Sequence, residues 1–393
     1  MRQTQKSGKR ECFSKVSWIM FYVGLGCLMV LPASAAEYIV TPSITVSETY
    51  DDNIFYYDVE DFEHLVSPIL DFEARTKRGK IQVSLNGDIS EYQSHDELNT
   101  VDQSYWISAD IFTTATSQIG VSGNYLRDYT FTSALEELGV VAERSIRIAT
   151  FIQPKAIIEL DSRNSLKCFY KLNKTQYRLD TYPDYRNQDL NIIYIHKLKN
   201  EVTSLALQLG VSQADYTIGN ENGRHKSCQF MAGIDHQISE TFKLTLNAGE
   251  RYIDSNFPNA ERERDTAFII DSGFLWRFER TTVSANIIRD FSPSIYGEEM
   301  TRDRINTALR YLVKENLNCN LNASYYRSET EGFYRKEKHD YYSVRLSVNY
   351  SFNEHISMQS GYTYNGTKNK ITDRSEERNR IFLQISSAWP FYY

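Results

Sequence analysis

Residues 339–352 read His-Asp-Tyr-Tyr-Ser-Val-Arg-Leu-Ser-Val-Asn-Tyr-Ser-Phe. Tyr342, Val344, Leu346, Val348, Tyr350 and Phe352 share one parity, while Tyr341, Ser343, Arg345, Ser347, Asn349 and Ser351 share the other. A repeat of two sends successive side chains to opposite faces, so this segment is a strand with one apolar and one polar face. The same alternation recurs. Ile81, Val83 and Leu85 alternate with Gln82, Ser84 and Asn86. Leu205, Leu207, Leu209 and Val211 alternate with Ser204, Gln208 and Ser212. Phe242, Leu244, Leu246 and Ala248 alternate with Lys243, Thr245 and Asn247. Leu317, Cys319, Leu321 and Ala323 alternate with Asn318, Asn320 and Asn322. Beyond residue 36 no stretch shows a helical repeat. About 18 such segments of roughly 10–14 residues can be counted, the length a tilted strand needs to cross a bilayer.

The connections have a rhythm of their own. Short ones fall at 77–80, 161–164, 199–201, 239–241, 279–281, 314–316 and 353–355. Longer, charged ones fall near 51–62, 92–102, 130–145, 178–188, 217–226, 254–265, 292–303, 328–339 and 367–378. Transmembrane barrels take turns in this way, with tight periplasmic turns and longer external loops. A soluble two-sheet sandwich would alternate along its strands but has no reason to alternate its loops. The predicted fold class is all-β: a transmembrane antiparallel up-and-down β-barrel of about 18 strands, with 16 as the alternative count. The apolar stripe then faces lipid and the polar stripe a lumen. Tyr50, Tyr125, Tyr216, Tyr252, Tyr325 and Tyr364 fall near strand ends, where interfacial girdle residues belong.

The N-terminus adds a targeting segment. Arg2, Lys6, Lys9, Arg10 and Lys15 precede an apolar run from Val16 to Val30, and Pro32-Ala33-Ser34-Ala35-Ala36 supplies small residues. This is the form of a secretory signal cleaved before Glu37. The expected organisation is a signal at 1–36 and a single outer-membrane barrel at 37–393. No apolar run of about 18 residues follows the signal, so no helix is predicted to span.

Composition narrows the classes further. The 28 Tyr suit the interfacial girdles, and a formal net charge of -7 gives no footprint of a nucleic-acid binder. Cys168, Cys228 and Cys319 are three widely spaced thiols, not a disulfide framework. The seven His have no metal-ligand spacing, and H-E-x-x-H, C-x-x-C, G-x-S-x-G and phosphate loops are absent. No catalytic residue, metal site or cofactor is predicted, although a site built across neighbouring strands would leave no spacing signal.

If the polar stripe is inward, it carries Lys167, Lys171, Lys243, Arg251, Arg277, Arg310 and Arg345, with Asp71, Glu73, Asp88, Asp110, Asp235 and Asp271 against them. The candidate pore-lining set is Lys167, Lys171, Lys243, Arg251, Asp271, Arg277, Arg310, Arg345, Asp88 and Asp235. Opposed charge across a pore orders water and sets solute preference, and this set suits a slight preference for anionic or sugar-like solutes. Equally, such charges only satisfy one another in a wet interior. The stretch 130–145, the longest connection, could fold inward as a short amphipathic helix.

Two motifs remain. The chain ends Trp389-Pro390-Phe391-Tyr392-Tyr393, after Ile381, Leu383 and Ile385 on one face. Trp389, Phe391 and Tyr393 resemble the terminal aromatic signature of bacterial outer-membrane proteins, which implies the barrel-assembly machinery as a partner. The other motif is Ser47-Glu48-Thr49-Tyr50-Asp51-Asp52-Asn53-Ile54-Phe55-Tyr56, where the first strand should leave the membrane. Asp51-Asp52-Asn53 reads as a turn into a solvated loop. A divalent-ion site shared with lipopolysaccharide phosphates and a catalytic acid pair are the alternatives. The string resembles the start of the beta-barrel porin 2 family of Gram-negative bacteria, whose first strand ends in a similar E-x-Y-D-D-N string.

The resemblance implies an outer-membrane, porin-like channel for hydrophilic solutes, exported through the periplasm, as a possible accessory of exopolysaccharide export. The partners implied are outer-membrane lipid and lipopolysaccharide and components of an exopolysaccharide export system. A non-conducting barrel that scaffolds a secretion complex, and a barrel enzyme acting on lipid or polysaccharide, are the other readings.

Overall fold

The computed structural model describes residues 36–56, 58–130, 144–218, 221–256, 262–293, 299–331 and 336–393. The strands are β1 (Glu37–Asp51), β2 (Asp61–Arg75), β3 (Gly79–Tyr92), β4 (Thr100–Phe112), β5 (Ser117–Tyr129), β6 (Ile146–Glu159), β7 (Asn164–Tyr177), β8 (Asp184–Lys197) and β9 (Thr203–Ile218). The second half holds β10 (Glu221–Gln237), β11 (Phe242–Asn256), β12 (Glu263–Arg277), β13 (Thr281–Pro293), β14 (Glu299–Lys314), β15 (Leu317–Glu331), β16 (Lys336–Ser351), β17 (Ile356–Asn369), β18 (Arg374–Ala388) and a terminal stub, β19 (Phe391–Tyr392). From β1 to β18 each strand pairs antiparallel with its sequence neighbours, and β1 also pairs with β18 from Ser43↔Ala388 to Asp51↔Arg380. The result is a closed 18-strand antiparallel barrel.

Closure follows from the solvent. In hydrocarbon no water can satisfy a free amide, so a spanning sheet must have no edge. Gaps in the β2–β3 and β6–β7 ladders fall at Pro68 and Pro154, which have no N–H to donate. The β12–β13 ladder ends at Ile270↔Arg289, short of the long-connection ends of both strands. There the Arg251 guanidinium on β11 donates to the Phe291 carbonyl at 3.2 Å and links β11 to β13 directly.

The registers fix which face is which. On β9, Leu205, Leu207, Leu209 and Val211 are 41–56% exposed and point outward, while Gln208 and Ser212 alternate inward. The apolar belt of the other strands is the same, with Ile44, Val46, Leu85, Phe230, Leu246, Leu346 and Ile385 outward. Tyr50, Tyr125, Tyr252, Tyr325 and Tyr364 share the parity of the outward residues on their strands. Tyr216 does not. It faces inward, 2% exposed, edge-on to His225 with ring centroids 5.2 Å apart. Its parity follows Ser212 and Ala214, and position near a strand end alone did not reveal that.

The connections depart from expectation in one respect. The tight turns are tight, as at Asn353, whose side-chain oxygen accepts from the amides of His355 and Ile356, both at 2.8 Å. On the other side, the described residues of the stretches expected as loops at 217–226, 254–265, 292–303, 328–339 and 367–378 are largely sheet. Arg327↔Asp340 and Glu329↔Lys338 pair in register and form ion pairs at 3.2 and 2.7 Å. Once clear of lipid both faces of a hairpin can be polar, so charge marked the end of the membrane rather than the end of the strand. The expected inward helix near 130–145 lies almost wholly outside the described residues, as does the signal segment.

The C-terminal stretch is also broken. Pro390 interrupts β18, and Phe391 and Tyr392 pair with Val40 and Ile39 of β1. Tyr38 and Tyr393 exchange backbone hydrogen bonds at 3.1 and 2.9 Å, and the Trp389 amide donates to Pro42 at 3.1 Å. The terminal aromatics thus complete the β1–β18 seam at the tight-turn end.

Facing can be tested by paired substitutions at adjacent positions. Leu209→Arg on the outward face is expected to destabilise the barrel in liposomes by about 2–4 kcal/mol. Gln208→Arg, one residue away, is expected to cost far less. Urea unfolding in lipid vesicles reads both, and equal costs would contradict the assignment.

Candidate functional site: the polar lumen and its mouth

All ten candidate lining residues lie on the inward face by register. Asp88 is on β3, Lys167 and Lys171 on β7, Asp235 on β10, and Lys243 and Arg251 on β11. Asp271 and Arg277 are on β12, Arg310 on β14 and Arg345 on β16. Some are brought together. Lys243 lies 3.7 Å from Asp235, Lys171 faces Asp189 across the β7–β8 ladder, and Asp88 accepts hydrogen bonds from Ser67 and from Asn86, the latter at 3.2 Å. Arg251 donates to Ser227 at 2.9 Å. Lys167 and Arg277 have no such partner in the described residues and stand apart.

The wall contains more charge than that set. Arg147 makes a two-armed bond to Asp128 at 2.9 and 2.7 Å, Lys155 pairs with Asp110 at 2.7 Å, and Arg302 and Arg304 both reach Asp290. Mapped onto the ring of strands, Asp71, Glu73, Asp88, Asp102, Asp110 and Asp128 lie on β2–β5, and Arg302, Arg304, Arg310, Arg345, Arg378 and Arg380 lie on β14–β18. These arcs are neighbours that flank β1. They do not oppose one another across the pore, because β18 closes on β1 and brings the two ends of the chain side by side.

The mouth lies above that junction, and the string that opens with Ser47 builds it. Asp51 is the last residue of β1 and is 1% exposed. Its carboxylate takes Arg378 of β18, with Arg378 Nε at 3.0 and 2.8 Å from its two oxygens and a further bond from Nη2. Asp52 accepts from the backbone amide of Asn379 at 2.6 Å and its side-chain amide at 2.7 Å. Asn53 donates to the Glu377 carbonyl at 2.7 Å. Three consecutive side chains therefore clamp β1 to three consecutive residues of β18. In place of the expected solvated turn stands a lock whose Asp51–Arg378 pair is buried and whose Asp52 and Asn53 are partly exposed. Proximity of residues 51 and 378 exists only once the barrel is closed, which the local pattern did not disclose.

Beyond the lock the chain turns into the lumen. Ile54, Phe55 and Tyr56 are all buried, 0–6% exposed. Phe55 packs edge-on against Tyr92 of β3, with Val59, Leu98 and Tyr129 around the cluster, and Arg378 lies 5.3 Å over its ring. Tyr56 reaches the other way, to Tyr341 of β16 and Tyr326 of β15. Tyr92, Tyr326 and Tyr341 all face inward by register, so the turn spans the seam side of the mouth from β3 to β16. Phe55, Tyr56 and Asp58 hold φ of 50°, 62° and 55°. Such left-handed geometry in a side chain with Cβ costs about 1–3 kcal/mol each and persists only where the surroundings dictate it. Here they are the clamp below, the apolar contacts on both sides, and the Asn53 side chain, which accepts from the Asp58 amide at 2.9 Å.

Titration at the mouth follows its packing. Burial of the Tyr56 ring raises its hydroxyl well above the usual value, and that hydroxyl has no partner among the described residues. Burial would raise Asp61, the first residue of β2, but donation from the Ser94 amide, His95 and the Phe62 amide outweighs it. The carboxyl sits below its usual range. The stability Asp61 contributes is therefore present above the ordinary carboxylate pKa and is lost as pH falls through the lowered value.

No group of three or more His, Cys, Asp or Glu is placed to hold a metal ion among the described residues. Asp51 and Asp52 spend their oxygens on Arg378 and Asn379 instead. Arg378 was missed as a candidate because it lay in a stretch expected to be loop, although it alternates with Arg380, Phe382 and Gln384 in the parity of the inward face.

No protein-family model matches the sequence, and no curated protein does. Among solved structures, the chain is similar to the FrpB iron transporter from Neisseria meningitidis: 9% identity over 84% of this chain and 62% of that one, TM-score 0.51. It is similar to the ferric citrate transporter FecA at 9% identity, over 85% and 60% of the two chains, TM-score 0.50. The chain spans less than two thirds of either. OccAB3 of Acinetobacter baumannii matches at 10% identity over 90% and 99%, TM-score 0.47. At these identities the likeness bears on the fold, that of outer-membrane barrels.

The lock can be tested directly. Arg378→Ala leaves a buried carboxylate unanswered and is expected to cost about 3–5 kcal/mol, read as a lower urea midpoint of the folded, heat-modifiable form. Asp51→Asn combined with Arg378→Gln is expected to cost less than the single change. Tyr56→Phe, which removes an unpartnered hydroxyl, should leave the midpoint unchanged or raise it. A single Arg378 variant as stable as the parent would contradict the assignment.

Proposed function

We propose that the protein is an outer-membrane channel that passes small hydrophilic solutes. The observation that carries this reading is the predominantly polar inward face of an 18-strand closed sheet. Barrels of about 16–18 strands are wide enough to keep an aqueous path. The lining is charged on β2–β5 and β14–β18 and amide-rich on β15, where Asn318, Asn320 and Asn322 form a ladder. Buried without water, so many polar groups would be costly. A wet lumen removes that cost. In this reading the terminal aromatics Trp389, Phe391 and Tyr393 serve assembly. The resemblance of the first strand to the beta-barrel porin 2 family supports a role beside exopolysaccharide export.

One observation favours a second reading. The turn at Ile54–Tyr56 reaches into the lumen beside the seam, and a barrel whose path is closed there would act as a docking scaffold. Solute flux separates the two. Liposomes carrying the refolded protein are expected to swell in isosmotic arabinose, and more slowly in a tetrasaccharide. A swelling rate equal to that of protein-free liposomes, with the barrel verified as folded, would overturn the channel reading in favour of docking.

A further inference from the structure

A recess of about 370 Å³ opens in the lumenal wall between β13 and β17, within the range of about 300–1,000 Å³ common to small-molecule sites. Arg310, Arg345, Asn320, Asn322, Ser347 and Gln359 line it, and no carboxylate does. That absence sets the recess apart from the ion-paired parts of the wall. Arg147, Arg302, Arg304 and Arg378 each meet an aspartate. The Arg310 side chain makes no hydrogen bond or ion pair among the described residues. Arg345 makes none either, and its guanidinium lies 4.4 Å over the ring of Phe382. Stacking of this kind holds a guanidinium in place and leaves its N–H fork available. Phe382 is itself fixed, since it lies against Gly361, where a Cβ would meet the ring at 2.8 Å.

The rest of the lining is amide and hydroxyl. Arg310 faces Asn320 across the β14–β15 ladder, and Arg345 faces Asn322 across the β15–β16 ladder. The two arginines thus stand two strands apart with a two-residue stagger, about 12 Å between Cα atoms from ordinary sheet spacings. Asn320 donates to Asn318 at 3.1 Å, which leaves its carbonyl oxygen as an acceptor. Asn322, Gln359 and Ser347 make no side-chain hydrogen bond among the described residues. The recess therefore offers cationic forks together with neutral groups that both donate and accept. A bare inorganic anion would answer the forks and leave the amide oxygens to water. A neutral sugar would do the reverse. A ligand with a carboxylate and several hydroxyls answers both, the carboxylate taking charge-assisted two-armed bonds from arginine.

We propose that this recess binds carboxylated saccharides, an inference that rests on the channel reading and names the solute class such a channel would select. Isothermal titration of the detergent-folded protein with galacturonate, galactose and sodium phosphate tests it without reference to conduction. The expected result is galacturonate binding at least about tenfold tighter than galactose, not displaced by equimolar phosphate. Arg310→Ala with Arg345→Ala should abolish it, and Arg310→Gln with Arg345→Gln, which preserves bulk and polarity, should do the same should the alanine pair not fold. Equal affinity for galactose, displacement by phosphate, no binding, or binding that survives the folded double variant would each overturn the assignment. Galacturonate binding by a barrel that does not swell liposomes would uphold the recess and overturn conduction instead.

Discussion

Every backbone amide that crosses the membrane must be paired inside the sheet, so the first strand must meet the last. That single requirement organises the molecule. It places Glu37 and Tyr393 at the same end, stitches the terminal aromatics to β1, and brings Asp51 beside Arg378 although 327 residues separate them. The seam is also the place where a barrel is assembled from the two most distant parts of its sequence. A buried ion pair there adds little net stability compared with apolar packing, but an unpaired member would be strongly unfavourable. The pair is therefore suited to specifying register: a slip of one residue on β18 would turn Arg378 to the outer face and leave Asp51 buried and unanswered.

The same lock makes the mouth. Asp52 and Asn53 hold the chain against β18 just long enough for Ile54–Tyr56 to turn inward, and the left-handed geometry of Phe55 and Tyr56 is tolerated because contacts with Tyr92 on one side and Tyr341 on the other dictate it. Below, the wall sorts its charges by strand. The acidic arc on β2–β5 and the basic arc on β14–β18 flank the seam, and most of the charges answer one another locally. Around the recess at Arg310 and Arg345 they do not, and Lys167 and Arg277 also find no partner among the described residues.

The architecture was legible because membrane strands obey two independent regularities, a repeat of two along the strand and an alternation of short and long connections. Together they led to a count of about 18 strands, with 16 as the alternative, and, through parity, to the inward placement of residues such as Lys243 and Arg345. What was not legible had one cause, long-range closure. Alternation says that Arg378 points inward but not that it meets Asp51, and it cannot show that a string of Asp and Asn, ordinarily a solvated turn, is buried by the strand that arrives last. Charged stretches such as 328–339 were misjudged as loops because polarity on both faces signals departure from lipid, which a hairpin survives. Tyr216 misled for a related reason, since an aromatic near a strand end serves the girdle only in the outward parity.

Single-channel recording in a planar bilayer tests most directly whether the path runs through the lumen and is narrowed by this turn. The account predicts discrete steps for the parent protein and larger steps for a Phe55→Gly, Tyr56→Gly variant, in which the backbone geometry is kept and the bridging rings are removed. Equal step sizes from the two folded proteins would contradict it.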